Sequence, residues 1–242
     1  MENKARIQKV LSDQGILSRR RTEELIKEGR ITVNGRPAQP GHPIDIRRDI
    51  VAIDGERVWF QKKKKNYYVM LHKPRGYVTT MSDEKGRRSV ADLVADFPVR
   101  LYPVGRLDKD SEGLLLFTND GALMQAMTHP RHQVDKTYEV TVSGTLDGAA
   151  ERLSAVDELD GEPIVPAQVT QVWRRGGQAL LLVTIHQGKN RQIRRMCAKV
   201  DLQVMRLRRI AEDTLTLGSL PPGQWRYLTE AEVSALKGSE RE

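Results

Sequence analysis

The chain has 242 residues and a mass of 27.4 kDa, room for one large domain or for a small and a medium one, and its 38% apolar content excludes wholesale disorder. Forty Lys and Arg face 32 Asp and Glu, a net +8 that favours a polyanionic partner. The lone Cys197 excludes a disulfide framework and a thiolate zinc module and fits a reducing cytoplasm; with no apolar signal core and no run long enough to span a bilayer, a soluble protein is expected.

Residues 1–66 hold 16 Lys or Arg and 9 Asp or Glu, a surplus of seven, whereas the remainder is nearly neutral. Ile7, Val10 and Leu11 recur at helical spacing, predicting a helix near 4–14 that stops at Gly15. Ser18 offers a cap for a second helix opening on Arg19, Arg20 and Arg21, with Leu25 and Ile26 on its apolar face and Gly29 at its end. Ile31-Thr32-Val33 alternates like a strand, and Asn34-Gly35 marks a hairpin turn. Three cations in a first helical turn oppose the helix dipole, so phosphate contact is the natural reason for them. The run from Ser18 to Gly35 resembles the S-four domain, a small α/β RNA-binding module; members often carry alanine where this chain has Thr22. The resemblance implies that Arg19, Arg20, Arg21 and Arg30 face structured RNA. Expected boundaries are an RNA-binding domain over 1–60, a basic linker over 61–66 built on Lys62 to Lys65, and a body over 67–242.

In the body, apolar runs predict strands at 67–71, 114–117, 137–142 and 179–185, and helical spacing predicts helices at 89–97, 121–127, 146–156, 190–200 and 229–237. Without a regular βαβ repeat this reads as an α+β fold on a mixed, mostly antiparallel sheet. Phosphate-binding glycine loops, dinucleotide fingerprints and metal-ligand spacings are absent from the sequence, so no cofactor and no metal are expected. A second basic concentration spans 186–209, with eight Lys or Arg against Asp201. Two basic sites suggest a polyanion held at two points.

The densest loop, residues 101–113, precedes an apolar strand, where a carboxylate is held rigidly beside a core and away from water. Gly105-Arg106-Leu107-Asp108 followed by Gly113-Leu114-Leu115-Leu116-Phe117-Thr118-Asn119-Asp120-Gly121 resembles the signature of the RsuA/RluB family of ribosomal RNA pseudouridine synthases. Three further stretches agree in order: Leu71-His72-Lys73-Pro74-Arg75-Gly76-Tyr77, Lys136-Thr137-Tyr138-Glu139-Val140, and the basic helix from Gly188 to Met196. With the S-four module, the resemblance covers nearly the whole chain.

The family's reaction detaches uracil from its sugar, rotates it and rejoins it through a ring carbon, with no cofactor and no net redox change. By resemblance, Asp108 is the catalytic aspartate, nucleophile or base; Tyr138 stacks on the target base; and Arg194 pairs with the aspartate, keeping it ionised. Arg106 projects toward RNA, Lys73 and Pro74 shape the pocket floor, Leu207 supplies an apolar contact under the base, and Lys189 and Arg191 bind substrate. Asp110 and Glu112 match no family position. The expected partner is ribosomal RNA, 23S rather than 16S, free or in an assembly intermediate, and the expected state is a monomer. The alternatives are a 16S enzyme and a non-catalytic rRNA-binding or assembly factor; a hydrolytic glycosidase would want a second carboxylate to activate water.

Overall fold

The computed structural model describes residues 4–61 and 65–238, so Lys62, Lys63 and Lys64 of the expected linker lie outside the described residues. The chain divides into two compact units, Met1–Asn66 with Pro98–Arg100, and Tyr67–Phe97 with Leu101–Glu242. Among the described residues no helix is long and apolar enough to cross a membrane.

In the first unit, helices Ile7–Asp13 and Arg19–Lys27 accompany a four-stranded sheet ordered Arg36–Pro37, Ile31–Val33, Val51–Ile53, Glu56–Arg57. The second helix starts where a cap residue stands: Ser18 Oγ accepts from the Arg21 amide at 3.1 Å. Thr22, at a position often held by alanine, is fully buried and its hydroxyl donates back to the Ser18 carbonyl at 2.9 Å. Asn34 and Gly35 both take positive φ, +52° and +78°, and close a two-residue hairpin between Val33 and Arg36. Ile7, Leu11, Ile31, Ile44 and Val51 are wholly buried at its core, each worth about 1.5–3 kcal/mol over exposure.

The second unit is built on a nine-stranded sheet. Its main path runs Gln168–Arg175, Gln178–Ile185, Lys136–Gly144, Leu202–Glu212, Glu112–Thr118, Tyr68–Lys73, Trp225–Tyr227. Every pairing is antiparallel except that of Leu202–Glu212 with Glu112–Thr118, which is parallel, so the expected mixed, mostly antiparallel α+β architecture is what the chain adopts. Glu112–Thr118 is buried along its whole length, as its unbroken Leu114 to Phe117 run dictates. At the parallel pairing the backbones approach so closely that a Cβ on Gly113 would lie 2.2 Å from the Arg209 carbonyl oxygen. Only glycine fits there, at φ +112°.

Two helical expectations are corrected. Residues 89–97 form only a short 3-10 turn, Asp92–Val94, because their backbone groups are engaged elsewhere: Val90 donates to the Val78 carbonyl, Val78 donates to that of Arg88, and the Asp92 carboxylate takes the Ser89 amide at 2.8 Å. The helix expected over 146–156 is confined to Ala149–Ser154, opening after Gly148 at φ +59°. Gly121–Thr128, Gln192–Lys199 and Glu230–Gly238 form close to where spacing predicts. Leu202–Glu212, an eleven-residue strand at the centre of the sheet, was not among the expected strands, nor was Gln168–Arg175.

Candidate active site

Asp108 sits in the loop between the strands Tyr102–Pro103 and Glu112–Thr118, and that loop is tied down on several sides. Beneath it lies Lys73, the last residue of Tyr68–Lys73 and fully buried. Its Nζ donates to the carbonyls of Ser111 at 2.7 Å, Asp108 at 3.0 Å and Pro74 at 3.1 Å. An ammonium has three donors, and here each meets a carbonyl. Thr79 Oγ1 donates to the Leu107 carbonyl at 2.6 Å, and the Gly76 amide to that of Lys109 at 2.7 Å. Burial pushes the Lys73 pKa down to about 8, against the attraction of Asp108, Asp110 and Glu112. Lys73 therefore supports the loop from behind, and neither it nor Pro74 lines the cavity.

Asp108 borders a cavity of about 1070 Å³. Tyr138 and Leu207, from the adjacent central strands, form part of its wall and are 7% and 6% exposed. Arg106 is exposed at the same cavity, and Lys189 and Arg191 also line it. Lys189 Nζ is occupied by Glu162 at 2.9 Å and the Pro163 carbonyl at 3.1 Å. Burial pushes the Tyr138 phenol above its ordinary pKa, against the pull of the neighbouring Arg209 guanidinium, so at neutral pH it is a hydroxyl. Arg209 stands opposite Tyr138 in register and is anchored to the Leu114 carbonyl at 2.7 Å and to Glu212; both charged residues are almost wholly buried.

The arginine geometry differs from expectation. Arg194, on Gln192–Lys199, reaches the carbonyl of Asp110 at 3.0 Å and its carboxylate at 3.3 Å, with Ser111 Oγ at 3.5 Å. The guanidinium that meets the Asp108 carboxylate is that of Arg191, whose Nη1 stands 3.5 Å from Oδ2. The same group grips both carboxylate oxygens of Asp110 at 3.1 Å. Arg191 takes a left-handed conformation, φ +47°, just before the helix, a strained choice for an arginine that directs it back toward the loop. Burial acts to raise the Asp110 carboxyl, but the Arg191 hydrogen bonds and the Arg194 charge outweigh it and hold it below the usual carboxylate range. Asp110 thus links the two arginines. Glu112 is buried and pairs with Arg206 Nε from the neighbouring strand.

Asp108, Tyr138, Leu207, Arg106, Lys189 and Arg191 are brought to one cavity, whereas Arg194, Lys73 and Pro74 stand outside its lining. Motif reading did not assign Asp110, Arg209, Glu212 or Thr79 to the site. Of these only Arg209 carried a signal, as part of the basic run 206–209, and burial rather than exposure is its distinction. In the first unit, Arg19 and Arg20 are exposed, Arg21 pairs with Glu24 at 3.0 Å, and Arg30 is held by Asp54 and Glu28.

A carboxylate beside a guanidinium, facing a buried phenol and an apolar wall in one cavity, is suited to chemistry at a sugar carbon with a flat base held against an aromatic ring. Comparison with known proteins agrees. Residues 67–199 match the family model described as RNA pseudouridylate synthase, and residues 5–51 match that of the S4 domain. The ribosomal large subunit pseudouridine synthase B of Bacillus subtilis (strain 168) is 37% identical over 236 residues, covering 96% of this chain and 95% of that protein. An RNA pseudouridine synthase of Aquifex aeolicus (strain VF5) is 38% identical over 96% of this chain and 93% of its own. A solved pseudouridylate synthase structure superposes with a TM-score of 0.67 at 27% identity, over 96% of this chain and 99% of that one.

Proposed function

The chain belongs to the RNA pseudouridylate synthase family, and from that premise we propose that it isomerises a uridine of 23S ribosomal RNA, with Asp108 as the catalytic carboxylate. In the reaction the bond from the sugar C1′ to N1 is exchanged for one from C1′ to C5. N1 gains a proton, C5 gives one up, and nothing is oxidised or reduced. Asp108 acts at the sugar, as nucleophile or as base. Tyr138 stacks on the freed base, its hydroxyl available for proton transfer, and Leu207 supplies the apolar contact that holds the base while water stays out. Arg191 and Arg194 orient the loop's carboxylates, Arg191 at Asp108 directly and Arg194 through Asp110. Arg106 and Lys189 meet the RNA backbone at the rim, and Arg19, Arg20 and Arg21 take phosphates of the same RNA.

The observation that carries this reading is the Asp108 loop itself, a carboxylate loop held by two bonds from one buried ammonium at the edge of a cavity walled by Tyr138. The choice of 23S over 16S rests on the Bacillus relative, a large-subunit enzyme by name. The reading includes a cytoplasmic, monomeric enzyme acting on free RNA or on an assembly intermediate. Because C5 loses its hydrogen, the test is release of tritium from [5-³H]uridine-labelled 23S and 16S transcripts. Release from 23S alone supports the reading, release from 16S alone moves the target, and release from neither, on free RNA or on assembly intermediates, refutes it.

A further inference from the structure

In the first unit the indole of Trp59 is 74% exposed, while Val58 and Phe60 on either side pack against that unit's core. The Val58 amide donates to the carbonyl of the buried Val51 at 2.8 Å, continuing the ladder in which Arg57 opposes Ala52. Alternation along an extended chain then places Arg57 and Trp59 together on the face away from the core. There the Arg57 guanidinium lies 4.2 Å from the indole centroid. A lone exposed apolar side chain needs no explanation, but this one carries a cation on its ring. Arg21 and Arg30 are held by carboxylates, whereas what Arg57 touches is the indole.

An indole and a guanidinium are both flat and both stack on nucleobases, and the guanidinium also donates to phosphate. The charge of this region is complementary to RNA: residues 1–66 carry the surplus of seven basic groups, and the sequence runs on from Trp59 into Lys62, Lys63, Lys64 and Lys65. We propose that Arg57 and Trp59 form a stacking platform for an unpaired nucleobase of single-stranded RNA, separate from the phosphate contacts of Arg19, Arg20 and Arg21. The platform rests on the reading of this unit as RNA-binding and adds to it a preference for unpaired bases.

The test uses the full chain and measures affinity for a short single-stranded RNA and for a blunt RNA duplex of the same length, over a range of salt. Trp59→Ala is expected to weaken single-strand binding about tenfold, with duplex binding and the salt slope unchanged. Trp59→Phe, which keeps a ring, is expected to restore most of the affinity. Thermal melts of both variants establish that the unit is folded. If Trp59→Ala binds the single strand as the wild type does, the indole serves a protein contact or none, and the proposal falls. Equal weakening on strand and duplex also overturns it. If the wild type binds neither RNA, the RNA-binding reading fails first, and tritium release separately reports whether the catalytic reading stands.

Discussion

Lys73 Nζ donates to the main-chain carbonyl of Asp108 at 3.0 Å, so a buried charge on one strand fixes the backbone of the candidate catalytic residue on the neighbouring loop. Removing that ammonium by Lys73→Met leaves three carbonyls without their donor. A displacement of about 1 Å at a reacting group costs about a hundredfold in rate, and a loss of that order in tritium release is expected. The pH dependence of stability has a definite sign. The folded chain gives up the Lys73 proton near pH 8, the unfolded chain near 10.5. Between those values the unfolded state binds the extra proton, so this group's contribution rises with pH. Urea unfolding across that window should show the wild type gaining stability relative to Lys73→Met.

Gly113→Ala should be among the most damaging single-methyl additions. The new Cβ meets the Arg209 backbone at 2.2 Å on a strand buried throughout, and φ +112° is unfavourable for any side chain. A loss of about 3 kcal/mol or more is expected, read as a fall in melting temperature or as insoluble expression.

Arg191 and Arg194 should separate. Arg194 is mostly buried and holds the loop through a main-chain carbonyl, so Arg194→Gln should lower the melting temperature as well as conversion. Arg191 is half-exposed and its partners are carboxylates. Arg191→Gln should leave the melting temperature within about a degree, since exposed ion pairs contribute little, while reducing conversion about tenfold or more.

The phosphate reading of the first unit predicts a salt effect. Replacing Arg19, Arg20 and Arg21 together by Gln should flatten the dependence of log affinity on log salt by about two to three units, and should weaken different RNA sequences alike. An unchanged slope in a filter-binding titration would contradict the reading.

Cys197 is buried, and burial pushes its thiol pKa up to about 12. Little thiolate exists at neutral pH, so the native protein should not react with thiol reagents until it is denatured, and conversion should survive treatment with them.

Much of this was legible in the sequence where local chemistry dictates local structure. Ser18 caps a helix because its hydroxyl satisfies an orphan amide, Asn34-Gly35 turns because both residues tolerate positive φ, and Leu114 to Phe117 is apolar enough to need burial on both faces. The strand Leu202–Glu212 was hidden because its arginines read as part of a basic run that grips a polyanion rather than as positions in a sheet. In the fold, Arg206 meets Glu112 and Arg208 meets Glu139 at 3.0 Å across neighbouring strands, while Arg209 meets Glu212 three residues on along its own strand, so each of these charges has a partner and the charged stretch fits a sheet. Asp108 and Tyr138 were nominated from motifs and lie at one cavity. Which arginine touches Asp108 was not legible, because it depends on a left-handed turn at Arg191 that no local signal announces.

The central claim is that Asp108 makes pseudouridine in ribosomal RNA. Its most direct test is pseudouridine mapping of 23S and 16S rRNA from cells lacking this protein, rescued in parallel with the wild type or with Asp108→Asn. The account predicts one 23S uridine that is modified with the wild type and unmodified with the nearly isosteric variant, although the variant binds RNA normally. Modification restored equally by both, or no site in either subunit that changes, would contradict it.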